Sequence, residues 1–93
     1  MPSAAKRFVP VTVGIGVNVQ LLAANPDRRS AVIVNNSAGI VYVGKDNTVS
    51  AANGIPLVAG GSIADTTSGD AWWAFNGQAG TADVRCLEVA EAT

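Results

Sequence analysis

From Val9 the odd positions read Val9, Val11, Val13, Ile15, Val17, Val19 and Leu21, while the even ones are Pro10, Thr12, Gly14, Gly16, Asn18 and Gln20. Side chains two apart share one face of a strand, so this alternation defines extended chain with a single buried face. A helix is excluded over the same stretch, because Pro10, two glycines and a succession of valines all disfavour it. Gly14 and Gly16 mark a bulge or a turn. The pattern passes through them in phase, which favours one long bent strand.

The chain is organised around Arg28 to Gly44. Ala31-Val32-Ile33-Val34 and Ile40-Val41-Tyr42-Val43 flank Asn35-Asn36-Ser37, the composition of two strands joined by a short hairpin loop. Neither run alternates cleanly between apolar and polar. Such strands are covered on both faces, either at the centre of the fold or by another chain. Asn25-Pro26-Asp27 turns the chain into this segment. Arg28 and Arg29 follow at its mouth, where they are expected to pair with Asp27 or Asp83 or to reach a carboxylate on a partner.

Further strands are expected at Ile55–Val58, Ser62–Asp65, Ala71–Phe75 and Ala82–Val89, divided by Gly, Asn and Pro clusters. Asn53-Gly54 is expected to form a type I′ turn. The fold class is therefore all-β: a single small antiparallel β-sandwich or barrel of about 6–8 short strands. Residues 1–8 read as a basic N-terminal arm that orders on contact, 9–90 as the β-sandwich domain and 91–93 as a tail. The expected core includes Val13, Val17, Val19, Ile33, Val41, Val43 and Leu87.

Ninety-three residues suffice for one domain. The chain is 48% hydrophobic and 14% charged, against roughly 25% charged in an ordinary soluble domain, so much of its surface is neutral and suited to a partner. A formal net charge of −1 lacks the electrostatic footprint of a nucleic-acid binder. The start shows no continuous apolar signal region and no run is long enough to span a bilayer. Neither nucleic acid nor membrane is an expected partner.

Histidine is absent, which removes the usual general base and the Ser-His and Cys-His catalytic arrangements. Gly14-Ile15-Gly16 has Val19 where a dinucleotide fingerprint needs a third Gly, so no cofactor is expected. Asp65, Asp70 and Asp83 sit in or beside turns, where Asp caps backbone donors. Asp65 to Asp70 lacks the carboxylate density of a calcium loop, so no metal is expected. The chain is read as not an enzyme. Its single Cys86 is expected to be a buried free thiol.

Trp72 and Trp73 are adjacent on a strand and must point to opposite faces. One enters the core, and the other meets a subunit or partner, or is covered by the chain's own loops. An outward Trp also allows a sugar-binding platform.

The order Arg28, apolar strand, Asn35-Asn36, apolar strand ending Tyr42-Val43-Gly44, then Asn53-Gly54-Ile55-Pro56-Leu57, Gly60-Gly61-Ser62 and Val84-Arg85-Cys86-Leu87-Glu88-Val89 resembles small β-rich virion structural proteins of tailed bacteriophages. The resemblance runs from about Val11 to Val89. It implies a head decoration, or cement, protein on the outer capsid surface, with a tail, baseplate or head-fibre component as the alternative in that setting. A carbohydrate- or cell-surface-binding module is the alternative of another class. The two-sided apolar strands, the low charge and the polar arm point to a homo-oligomer; the resemblance implies a trimer first, the major capsid protein or another virion protein as partner, and location in a virion assembled in host cytoplasm. Interface residues expected on this reading are Lys6, Arg7, Phe8, Arg28, Arg29, Trp72 and Trp73.

Overall fold

A computed structural model describes residues 4–14, 16–66, 69–77 and 80–91. These form eight strands: β1 Ala4–Val13, β2 Asn18–Leu22, β3 Arg28–Asn35, β4 Val41–Gly44, β5 Ile55–Leu57, β6 Ser62–Asp65, β7 Trp72–Asn76 and β8 Ala82–Glu91. Every pairing is antiparallel, in one sheet of order β1-β8-β3-β6 and a second of order β2-β7-β4-β5. The expected β-sandwich is therefore present. Its strand order, with the chain crossing between sheets, is that of a double-sheet jelly roll.

The core is the inner face of both sheets. Val13, Ile33, Val84 and Cys86 from the first sheet meet Leu21, Leu22, Val41, Val43, Trp72 and Ala74 from the second, all nearly solvent-free. Burying each large aliphatic side chain contributes roughly 1.5–3 kcal/mol. Val19 is only partly buried against this core. Leu87 lies on the opposite face of β8 from buried Cys86 and Glu88 and is partly exposed, so it is not a core residue.

Several local expectations are corrected. β1 and β2 are separate strands in different sheets rather than one bent strand. Gly16 adopts φ 69° at the turn, a conformation open to glycine, and its N–H donates to the Asn76 carbonyl at 3.3 Å. Val17 sits at this turn and is 47% exposed. The apolar phase survives only because both sheets face one core. A bulge between Gln20 and Leu22 then turns both Leu21 and Leu22 inward.

Likewise β3 and β4 are not a hairpin, since each pairs with other strands in its own sheet. The Asn35-Asn36-Ser37 segment is an arch between sheets. Fully buried Asn35 donates to the carbonyls of Gly39, Leu57 and Val58, and its Oδ1 accepts from the Ser37 N–H. A buried amide with its bonds made fixes such a corner. Asn53-Gly54 is no type I′ turn either, because neither residue takes a positive φ.

The N-terminal arm expected over residues 1–8 is strand from Ala4 onward, in unbroken register with β8 from Ala4↔Glu91 to Val13↔Ala82. Residues 1–3, and 92–93 of the expected tail, lie outside the described residues. The cause is the length of β8, whose edge opposite β3 offers the N-terminal segment a complete ladder.

Candidate interaction surface

Arg28, expected at an interface, is buried instead. Its Nε donates to Glu88 Oε2 at 2.8 Å, Nη1 to the Asp70 carbonyl at 2.6 Å and Nη2 to the Ala23 carbonyl at 2.7 Å. Glu88 also meets Arg7 at 2.9 Å. The ion-pair partner is thus Glu88 on β8, neither Asp27 nor Asp83. A charge buried in this way persists because it is both paired and hydrogen-bonded. Arg28 and Glu88 close one end of the sandwich and join β3, β8 and the loops before β3 and β7. Arg29 follows Arg28 at the bulge in β3 and is exposed.

Trp72 and Trp73 do point to opposite faces. Trp72 is buried and donates its indole N–H to Asp65 Oδ2 at 3.1 Å, with the Lys45 ammonium 5.4 Å from its ring. Lys45 stands 3.5 Å from both Asp65 and Asp70. Two of the three aspartates considered for paired chemistry therefore share one lysine at the sandwich edge. No group of three metal-capable side chains occurs among the described residues.

Trp73 faces outward from the second sheet and is half-buried. By register it shares that face with Tyr42, Phe75, Gln20 and Gly44. The β4–β5 segment folds over part of this surface. Val49 is nearly solvent-free and stands over Gly44 and Gly54. Asn18 anchors the segment by donating to the carbonyls of Asn47 and Val49, each at 2.7 Å. A Cβ on Gly54 would come within 2.7 Å of Tyr42 Cβ and 2.8 Å of Val49 Cγ2, so glycine is required for the close approach.

The outer face of the first sheet differs. Register sets Phe8, Leu87, Val32 and Ala64 in one row, and Pro10, Arg85, Val34 and Ser62 in the next. Phe8 is 77% exposed. Two adjoining apolar hollows flank it: one of about 420 Å³ bordered by Pro10 and Arg85, the other of about 410 Å³ bordered by Val32, Val34 and Leu87. Lys6 lies one row beyond Phe8, on the same face, whereas Arg7 points to the Glu88 side. The expected interface residues thus split: Lys6 and Phe8 are on this face, Arg7 at its edge, Arg28 and Trp72 inside, and Trp73 on the roofed sheet. Val32, Val34 and Leu87 were missed as surface residues, although the lack of alternation in Ala31–Val34 already marks a strand apolar on both sides.

A polar cleft of about 540 Å³ lies where the β3–β4 arch meets the start of β8, lined by Thr12, Asn36, Ser37, Thr81 and Asp83 among others. The Asp83 carboxylate accepts from Asn36 Nδ2 at 2.9 Å and from Arg85, and these hold its pKa below the ordinary carboxylate value, Asn36 contributing most. Ser37 Oγ accepts from the Asp83 N–H at 2.6 Å. The polar groups of this cleft mainly tie the arch to β8.

No family model matches the chain, and no curated protein matches it in sequence. Solved structures do. A de novo designed double-stranded β-helix is similar over 88% of this chain and 97% of its own, at 21% identity and a TM-score of 0.64. A conserved protein of unknown function from Streptococcus pyogenes, SPY1581, is similar over 99% of this chain and 78% of its own, at 11% identity and a TM-score of 0.61. A protein of Bacillus endospore appendages, described as a family of disulfide-linked pili, is similar over the whole chain and 92% of its own, at 14% identity and a TM-score of 0.58. At these identities the likeness carries the fold, a double-stranded β-helix.

Proposed function

We propose that the chain is a non-enzymatic structural protein of a tailed-phage virion, acting as a homo-oligomer that binds the outer capsid surface as a decoration, or cement, protein. The observation that carries the assembly role in this reading is the bare apolar outer face of the first sheet, centred on Phe8. A face of this kind on a small, sparsely charged domain marks an interaction site. The tailed-phage setting rests on the resemblance of the strand and turn pattern.

The assembly role draws further support from two sources. One fold neighbour is a component of pili, and this fold is also used by viral capsid domains. The only cysteine here is buried and unpaired, so cohesion in the assembly is non-covalent at that residue. The major capsid protein is the partner this reading names.

Quantitative mass spectrometry of purified particles of the encoding phage tests it. A copy number matching the capsid lattice is the expected result. A low fixed number redirects the protein to the tail or a vertex, and absence from the particle overturns the virion role.

A further inference from the structure

We infer that the outer face of the β1-β8-β3-β6 sheet packs against the same face of a second copy of this chain, in an isologous two-fold dimer with the strands of the two copies running opposite ways. This deepens the reading above and rests on it for the role of the dimer in a particle.

The four sheet edges point away from edge-to-edge assembly. β1 and β5 carry Pro10 and Pro56, which remove backbone donors, β2 is interrupted by a bulge, and β6 is only four residues long. These are the devices by which sheets avoid pairing with other chains. Contact through a face is what remains, and of the two faces only one presents a large apolar side chain as open as Phe8.

The rows of that face are self-complementary. Along β1 and β8 they run Lys6–Val89, Phe8–Leu87, Pro10–Arg85 and Thr12–Asp83. A two-fold axis lying in the interface, across the strands and between the second and third rows, sets Phe8 of one copy over the Pro10–Arg85 row of the other. That is the site of the hollow of about 420 Å³. The ring is then covered by proline and the arginine plane, a favoured environment for an aromatic. The same operation brings Lys6 opposite the row of Asp83. An axis along the strands would instead keep each residue in its own row, leaving Phe8 off the Pro10–Arg85 row and Lys6 away from the row of Asp83.

Size also fits. Four strands about 4.8 Å apart and eight residues of about 3.4 Å each make a face of roughly 19 by 27 Å. Two copies would cover roughly 1,000 Å² between them, the threshold for a specific contact and the size of a weak, reversible one. A weak dimer suits a subunit whose contacts are multiplied on a lattice.

The test is sedimentation equilibrium and native mass spectrometry of the full chain, from about 1 to 100 µM, a range that brackets micromolar affinity, in low and high salt. The expected result is a concentration-dependent species of twice the 9.4 kDa chain mass. Phe8→Asp should weaken it by about a hundredfold or more, since the ring is lost twice in a two-fold contact. Lys6→Glu should weaken it by a smaller factor that disappears in high salt. Both variants should melt at the wild-type temperature when all three proteins are dilute enough to be monomeric. A monomer throughout, a trimer, or a dimer unaffected by Phe8→Asp would overturn the inference. Rebinding to stripped phage particles separates the two proposals. A wild-type monomer that rebinds sinks the dimer and leaves the virion reading standing, whereas a Phe8-dependent dimer with no place on the particle supports the dimer and removes the virion reading.

Discussion

The outer faces of the two sheets carry comparable apolar material, yet the chain handles them in opposite ways. The β2-β7-β4-β5 face holds Tyr42, Trp73 and Phe75, and the β4–β5 segment folds over part of it, with Val49 buried beneath the segment and Asn18 pinning it. The β1-β8-β3-β6 face holds Phe8, Val32, Val34 and Leu87, and Phe8 stands 77% exposed. Ordering a roof costs conformational entropy, and on one side the apolar burial it permits offsets that cost. On the other side the apolar surface is left for something outside the monomer. The Trp–Trp pair is the louder sequence feature, but it lies on the covered half.

Both faces depend on a shared frame, so the largest expected effect comes from breaking it. Glu88 is the inward neighbour of Leu87 on β8 and the carboxylate partner of Arg28, whose side chain is fully buried. Glu88→Ala would leave that guanidinium with its carbonyl contacts and no counter-charge. Removing one partner of a buried pair costs about 3–5 kcal/mol. Chemical denaturation should show a loss of that size, with both sheets lost together at a single lowered midpoint. A loss below about 1 kcal/mol, the scale of a surface pair, would mean the end of the sandwich is open to water.

Next comes the roof alone. Val49→Ser removes the apolar plug, and the loss should be roughly 2–3 kcal/mol, the worth of a buried valine plus a hydroxyl placed in its site. Tryptophan emission should shift to the red as Trp73 gains water, while Trp72 stays in the core. Unchanged stability and emission would show that the β4–β5 segment is not a cover, and the contrast between the faces would disappear.

Much of this architecture was legible in the chain. Four later strands fall within a residue or two of their expected positions at their start, because Gly, Asn and Pro punctuate them sharply. The partners were not legible. An apolar strand, an Asn-rich turn and a second apolar strand read the same whether they fold as a hairpin or as an arch, and only the long-range pairing of β3 with β8 and β4 with β7 decides it. For the same reason Val17, in phase with Val13, was expected inside and lies at a turn. Glu88 was unreadable as the partner of Arg28 because the two are sixty residues apart in sequence. On the surface, Val32 and Val34 did carry a signal, two-sided apolarity, that composition alone could not assign to a particular face.

A smaller effect concerns Cys86, which faces inward between the outward Arg85 and Leu87. Burial is the main cause that pushes its thiol up to about 11 from an ordinary 9.0. Between those values the folded thiol keeps a proton that the unfolded one has released, so stability is level below pH 9 and falls as pH rises toward 11. The shift amounts to at most about 2–3 kcal/mol at the upper end. Cys86→Ala should flatten that part of the profile, and the native thiol should resist alkylation at neutral pH. Rapid alkylation of the folded protein would mean that water reaches the inner face through the apolar hollows beside Phe8.

The smallest expected change sharpens the contrast most. Phe8→Ser deletes a larger apolar side chain than Val49→Ser, and on area alone it should cost more. In the monomer the ring is 77% exposed, so little is lost on folding, and substitutions at such positions usually stay within about 0.5 kcal/mol. Measured at concentrations low enough to keep the chain monomeric, the midpoint should barely move, while the Val49 variant shifts clearly. The inequality between these two variants, the smaller side chain costing more, is the quantitative form of one face being roofed and the other bare. At high protein concentration the ranking should narrow, because a contact that buries Phe8 stabilises the folded chain by mass action and the Phe8→Ser protein cannot benefit from it. If Phe8→Ser is as damaging as Val49→Ser in dilute solution, then Phe8 is held by its own chain, and the surface assigned to a partner is simply part of the fold.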